Sequence, residues 1–190
     1  MFVLDAKTER IAALLLAVLM ATTRIYHFGV GTIAPDASTA VFFLAGLLLA
    51  SPLWLLALGV EAILLDAAAF GIIGVADACM TLGYWTLFAG YLALWYAGRV
   101  ARAIERLDLL NAARLIFLIS TGAVVFFVLS NVGYYFGGDF DDSMGAAEYI
   151  RRVSRYLPFY FAVTVGYSAA GIIALLVATR LFSGRRLAAP

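Results

Sequence analysis

The sequence contains one cysteine, Cys79, and one histidine, His27. A lone thiol closes no intramolecular disulfide, and it excludes a CxxC redox pair and a cysteine-based zinc site. One histidine builds no metal site by itself, although it offers one hydrogen bond or one axial ligand. Charge is scarce too. Only 13% of the residues are Asp, Glu, Lys or Arg, against about 25% in soluble domains. The net charge of +1 gives no reason to expect nucleic-acid binding. No GxxxxGK[ST] run is present, so the chain has no P-loop of its own for hydrolysing a nucleotide. The first apolar run lacks a small-residue cleavage site after it and reads as a span, not a signal peptide.

What the chain has in quantity is apolar surface: 65% of its residues are hydrophobic and the mean hydropathy is +1.00. Both values point to an all-α membrane protein, one helical bundle covering residues 1–190 as a single domain. A hydrocarbon core of about 30 Å takes about 20 apolar residues per helix. Six segments meet or approach that length: 9–28, 38–51, 52–72, 83–103, 108–133 and 146–182. The second is short for a full crossing, and Pro52 marks the turn after it. The last is too long for one. Its start, "AAEYIRRVSRYLP", is expected outside the lipid or at its surface, with Pro158 bending the helix where it enters.

The basic residues set the expected orientation. With six spans, Lys7, Arg10, Arg99, Arg102, Arg106, Arg114, Arg180, Arg185 and Arg186 all fall on one side, the cytoplasm. Both termini then lie inside, in a multi-pass membrane protein. Asp36, Asp77, Asp139, Asp141, Asp142 and Glu148 fall on the opposite side, with Arg24, Arg151, Arg152 and Arg155.

Chemistry is therefore sought at the outer end. "TRIYHFGVGTIAPD" closes the first span with Arg24, Tyr26 and His27 before two glycines. Asp66 lies in the third span, where an ionisable group is costly without a partner or a polar cavity. Arg24, His27 and Arg152 are the candidate partners. Glu61 lies on the same helix about 140° away and receives no role. In "GVADACMTLGYW", Cys79 sits in an outward connection near Asp77, Met80 and Tyr84. A buried free cysteine is commonly a small hydrophobe. An outward thiol is instead a liability that a bound ligand would cover, and thiolate is a soft donor. Without a second cysteine it suits a metal already held in a macrocycle. The last outer connection, "NVGYYFGGDFDDSMGAAEYIRR", offers aromatic faces at Tyr134, Tyr135 and Phe136. Its aspartates lack DxDxDG spacing and read as solvated surface. Ala13, Ala17 and Ala21 form a row on the first helix, suited either to packing inside the bundle or to docking a membrane partner.

The six spans, the short second helix, the alanine row and the outer connections together resemble the S-component of an energy-coupling-factor vitamin transporter. "TRIYHFG", "LLDAAAFG", "DACMTLGY" and "EYIRRVSRY" resemble one branch, the BtuM family of cobalamin transporters. That resemblance covers nearly the whole chain. It implies that Cys79 coordinates the cobalt of cobalamin or a related corrinoid, and that His27, Asp66, Tyr84 and Arg152 line the ligand site. It implies a coupling face on Ala13, Ala17 and Ala21 for a membrane coupling subunit and its ATPases, although members are described as solitary. It also implies a reaction, in which the Cys79 thiolate assists reductive loss of cyanide from cyanocobalamin. Two other classes of protein compete with this reading: a membrane redox or haem protein, poorly supplied by one histidine and one cysteine, and a membrane scaffold in which Cys79 is incidental.

Overall fold

The computed structural model describes residues 2–24, 34–69, 71, 82–137 and 144–186. Cys79, His27, Asp77, Asp139, Asp141 and Asp142 lie outside the described residues. Those described form helices only: α1 (Ala6–Arg24), α2 (Ser38–Leu48), α3 (Leu53–Ala68), α4 (Leu82–Ala101), α5 (Leu109–Gly137), α6 (Ala146–Val153) and α7 (Leu157–Arg186). A 3-10 turn over Ser154–Tyr156 joins the last two.

Local chemistry accounts for several helix ends. The Asp5 carboxylate accepts hydrogen bonds from the backbone N–H groups of Lys7 and Thr8 at 3.0 and 3.1 Å, which caps α1. Asp108 does the same for α5 through the N–H of Asn111 at 2.9 Å. Pro158 is the second residue of α7, in the first turn, where a missing N–H is tolerated. The break expected near Pro158 therefore lies just before it, in the 3-10 turn.

The core is built around α2. Every residue of this helix, from Ser38 to Leu48, is buried. It is apolar on all sides, as a helix enclosed by others should be. At about 1.5 Å per residue it is also about half the thickness of a bilayer core. The expected second span, 38–51, is thus an enclosed post that ends at Leu49, where the backbone turns extended. α4 packs most extensively on α5 and α2, while α1, α3 and α7 close the remaining sides of α2.

Close approach of α2 and α4 depends on glycine. A Cβ on Gly46 would collide with the Trp95 carbonyl, and one on Gly98 would collide with the Phe43 carbonyl. Glycine lets two helix backbones meet at distances that any side chain would forbid. The alanine row of α1 contributes less specifically. Ala13 is buried in the core, and Ala17 is half-buried against it. That row is turned into the bundle, so it is not an open groove. The outward face of α1 carries Ile11, Leu14, Leu15 and Val18 instead.

Large apolar side chains are exposed on other helices as well, including Leu56, Val60 and Leu64 of α3 and Ile173 and Val177 of α7. Exposed apolar surface on this scale marks a membrane or partner-facing exterior. Among the described residues, two helical runs, Leu109–Gly137 and Ala146–Leu181, are long and apolar enough to cross a membrane. α3 has 16 residues, and in α1 the charges at Lys7, Glu9, Arg10 and Arg24 leave only a short uncharged run. Among the described residues, the runs Leu109–Gly137 and Ala146–Leu181 therefore support a membrane protein by length and composition.

Candidate ligand site

One end of the bundle brings four helices together around Arg24. This residue terminates α1 with its side chain only 3% exposed, opposite Asp66 of α3 at 2%. An unpaired charge in such a position would cost several kcal/mol. The pairing is bidentate: Nε donates to Oδ1 and Nη2 to Oδ2 of Asp66, each at 2.7 Å. A planar guanidinium matches a carboxylate in this fork, which a lysine could not do.

The other branch of the guanidinium is used as well. Arg24 Nη1 donates to Ser38 Oγ at 2.9 Å and to Tyr91 Oη at 2.8 Å. Ser38 in turn donates through Oγ to Asp36 Oδ1 at 2.6 Å, and its backbone N–H reaches the same oxygen at 2.9 Å. Tyr84 Oη donates to Asp66 Oδ2 at 2.7 Å. Four helices are therefore tied through one guanidinium. Tyr91 is held by stacking between Phe42 at 4.1 Å and Phe126 at 5.2 Å, so its hydroxyl has little freedom to leave. Thr39 and Thr164 share a hydrogen bond of 2.7 Å that ties α2 to α7 below the same end.

This network borders a cavity of about 300 Å³. Arg24, Asp36, Asp66 and Tyr84 form its polar wall; Leu87, Tyr91 and Phe126 are its apolar floor; Ser130, Asn131, Tyr134 and Tyr160 face them from α5 and α7. Apolar surface with a few convergent polar groups is the usual make-up of a small-molecule site, and this volume is at the lower end of the usual range. Among the described residues, no group of three or more His, Cys, Asp or Glu side chains is placed to hold a metal ion. A metal bound by them would have to bring most of its own ligands.

Asp66 and Tyr84, both expected from the sequence, meet in this network. Arg152, expected with them, does not join it. Its Nε donates to Glu148 Oε1 at 2.7 Å on the exposed side of α6, beside the Glu148–Arg151 pair. A carboxylate four residues away on the same helix is an easier partner than one across the bundle. Cys79 and His27 lie outside the described residues, but their neighbours in sequence are informative. Arg24 and Asp36 flank the 25–33 segment, and Asp66 and Tyr84 lie on either side of 72–81; all four line the cavity.

Ser38, Tyr91 and Asn131 were not visible as site residues in the sequence. Ser38 and Tyr91 sit within apolar helices, and nothing local marks them as partners of Arg24. The useful signal was the buried charge: Asp66 in an apolar helix demands a cation, and the cation then demands further acceptors. No family model matches the chain, and no curated protein matches it either.

Proposed function

We propose that the protein is a membrane-embedded binding and transport subunit for cobalamin or a related corrinoid, with six spans and with the cavity opening on the outer side. The observation that carries this reading is the cavity beside the Arg24–Asp66–Tyr84 network, at the bundle end opposite Arg99 and Arg102. The resemblance of "DACMTLGY" and its companion motifs supplies the ligand class. Cys79 lies five positions before Tyr84 in the sequence, and its thiolate is the donor for cobalt. Cobalt in a corrin arrives with its equatorial nitrogens in place and needs only axial ligands, which suits a chain with one thiol.

The residues have separate tasks. Tyr84 and Asp66 present a hydroxyl and a carboxylate to side amides of the corrin. Arg24 holds Asp66 in position. A corrin is larger than the 300 Å³ cavity, so its remaining contacts fall to the segments that carry His27 and Cys79. A buried α2 with an apolar exterior suits a body that moves in lipid as a unit. A coupling module, if one is used, would meet the outward apolar face of α1.

The test is a visible spectrum. Protein purified after growth with cobalamin should retain corrin with a spectrum altered by thiolate ligation, and Cys79→Ala should lose that alteration. Colourless wild-type protein with no corrinoid affinity in detergent or lipid would overturn the proposal. A haem Soret band would favour the redox alternative.

A further inference from the structure

We propose that the aromatic cleft between α5 and the start of α7 is a second compartment of the ligand site, and that it takes a flat heteroaromatic ring carried by the ligand. This inference rests on the corrinoid reading. The cleft has a volume of about 260 Å³ and is lined by Phe127, Asn131, Tyr134, Val153, Tyr156 and Tyr160. Asn131, Tyr134 and Tyr160 also line the larger cavity. The two spaces are therefore neighbours across three shared side chains.

The lining identifies the occupant. Four of its six residues are aromatic, and Phe127 meets Tyr160 edge to face with ring centres 5.7 Å apart and planes at 61°. Aromatic rings favour such offset and edge contacts with other rings. A lipid tail would be better served by aliphatic walls, and this cleft has only Val153. The one amide is fixed in place. Asn131 Nδ2 donates to the Phe127 carbonyl at 2.8 Å, and Tyr149 Oη, which donates to the Asn131 backbone carbonyl at 2.9 Å, also reaches the side-chain Oδ1 at 3.3 Å. An amide nitrogen has two hydrogens, and the bond to Phe127 uses one of them. A wall held this way binds without first being ordered, which is where preformed sites gain affinity.

Among corrinoids, cobalamin carries a benzimidazole on a nucleotide tail, and cobinamide lacks it. The cleft adjoins the corrin compartment and is reachable by a tethered ring. It is therefore a device for distinguishing the complete corrinoid from the truncated one.

The experiment measures the dissociation constants of cobalamin and cobinamide for the full-length protein in lipid nanodiscs. Val153→Trp, which fills the cleft, and Tyr156→Ala, which removes an exposed wall, are compared with wild type. Neither residue lines the larger cavity. The expected result is cobalamin binding weakened about tenfold, as loss of one aromatic contact implies, with cobinamide binding unchanged. Equal weakening for both corrinoids would assign the two residues a merely structural role and overturn the inference. So would unchanged binding of both. If wild-type protein binds neither corrinoid, the corrinoid reading itself fails and this inference goes with it. Binding without discrimination removes the inference alone.

Discussion

The two ends of the bundle use arginine in opposite ways. At the end away from the cavity, Arg99 and Arg102 reach the carbonyls that α2 leaves without partners. Arg102 Nη1 donates to the Leu49 carbonyl at 2.9 Å, and Arg99 donates to the carbonyls of Leu49 and Ala50. Arg99 also lies over the Trp95 ring at 4.7 Å. Glu9 completes this end by accepting from the Ala50 N–H and from Trp54 Nε1, each at 3.0 Å. These groups satisfy a helix terminus, and several of them remain open to solvent. At the cavity end, Arg24 is enclosed and is neutralised by Asp66. The first arrangement ends a helix. The second assembles four of them around a space, and a buried charge is tolerated there because it is fully partnered.

The largest expected effect follows from breaking the enclosed pair. Asp66→Ala leaves Arg24 buried without its carboxylate and should destabilise the fold by about 3–5 kcal/mol, measured by thermal or denaturant unfolding in detergent. Replacing both partners, as Arg24→Met with Asp66→Leu, should recover much of that loss while leaving ligand binding abolished. If the double variant is as unstable as the single one, the pair matters to the fold for reasons other than uncompensated charge.

A second prediction targets the close approach of α4 to α2. Gly98→Ala puts a methyl group against the backbone of α2, and overpacking of this kind costs about 1–3 kcal/mol or more. Because helix backbone cannot give way as a side chain can, the upper part of that range is expected. Gly166→Ala on α7, where an added Cβ meets nothing within 4 Å, is the control and should be near neutral.

The open end should yield less. Arg102→Ala removes one charge-assisted hydrogen bond to a helix-terminal carbonyl, which is worth about 1–2 kcal/mol at a partly exposed site. Ligand affinity should stay within twofold of wild type, because this arginine is at the far end. A large loss of affinity would show that the ends are coupled.

The smallest effect concerns pH and α6. Hydrogen bonds from Arg151 and Arg152 pull the Glu148 carboxyl down from its ordinary 4.5 to about 2. The folded carboxylate therefore binds its proton less readily than the unfolded one. The ion pairs contribute in full above about pH 4.5, and the contribution fades as pH falls toward 2. Solvent screening keeps it small. Carbon-detected NMR titration of Glu148 should show a midpoint well below 4.5, and Arg151→Gln with Arg152→Gln should return it to the ordinary value.

Helices were readable from the sequence because their causes are local. Apolar runs, the caps at Asp5 and Asp108, and Pro52 and Pro158 all act within a few residues. Observed bounds differ from the expected ones by a few residues at most ends, since helix ends are set by whichever nearby group accepts the last hydrogen bonds. The second segment shows where local reading stops. An apolar helix looks the same whether lipid or other helices surround it, and only packing made α2 the enclosed post of the fold.

The site divides along the same line. Asp66 was marked by the sequence alone, because a carboxylate in an apolar helix needs a partner wherever the chain goes. Which partner it finds was decided by tertiary structure: Arg24 is 42 residues away, while Arg152 is taken by Glu148 on its own helix. Ser38 and Tyr91 became site residues only when the fold brought them to the guanidinium. The direction of the alanine row and the glycine contacts of α2 were settled the same way. Composition, apolar helices and the need for a counter-ion are short-range properties and are written in the chain. The identity of that counter-ion, and the cavity beside it, depend on contacts between distant residues, which no local pattern specifies.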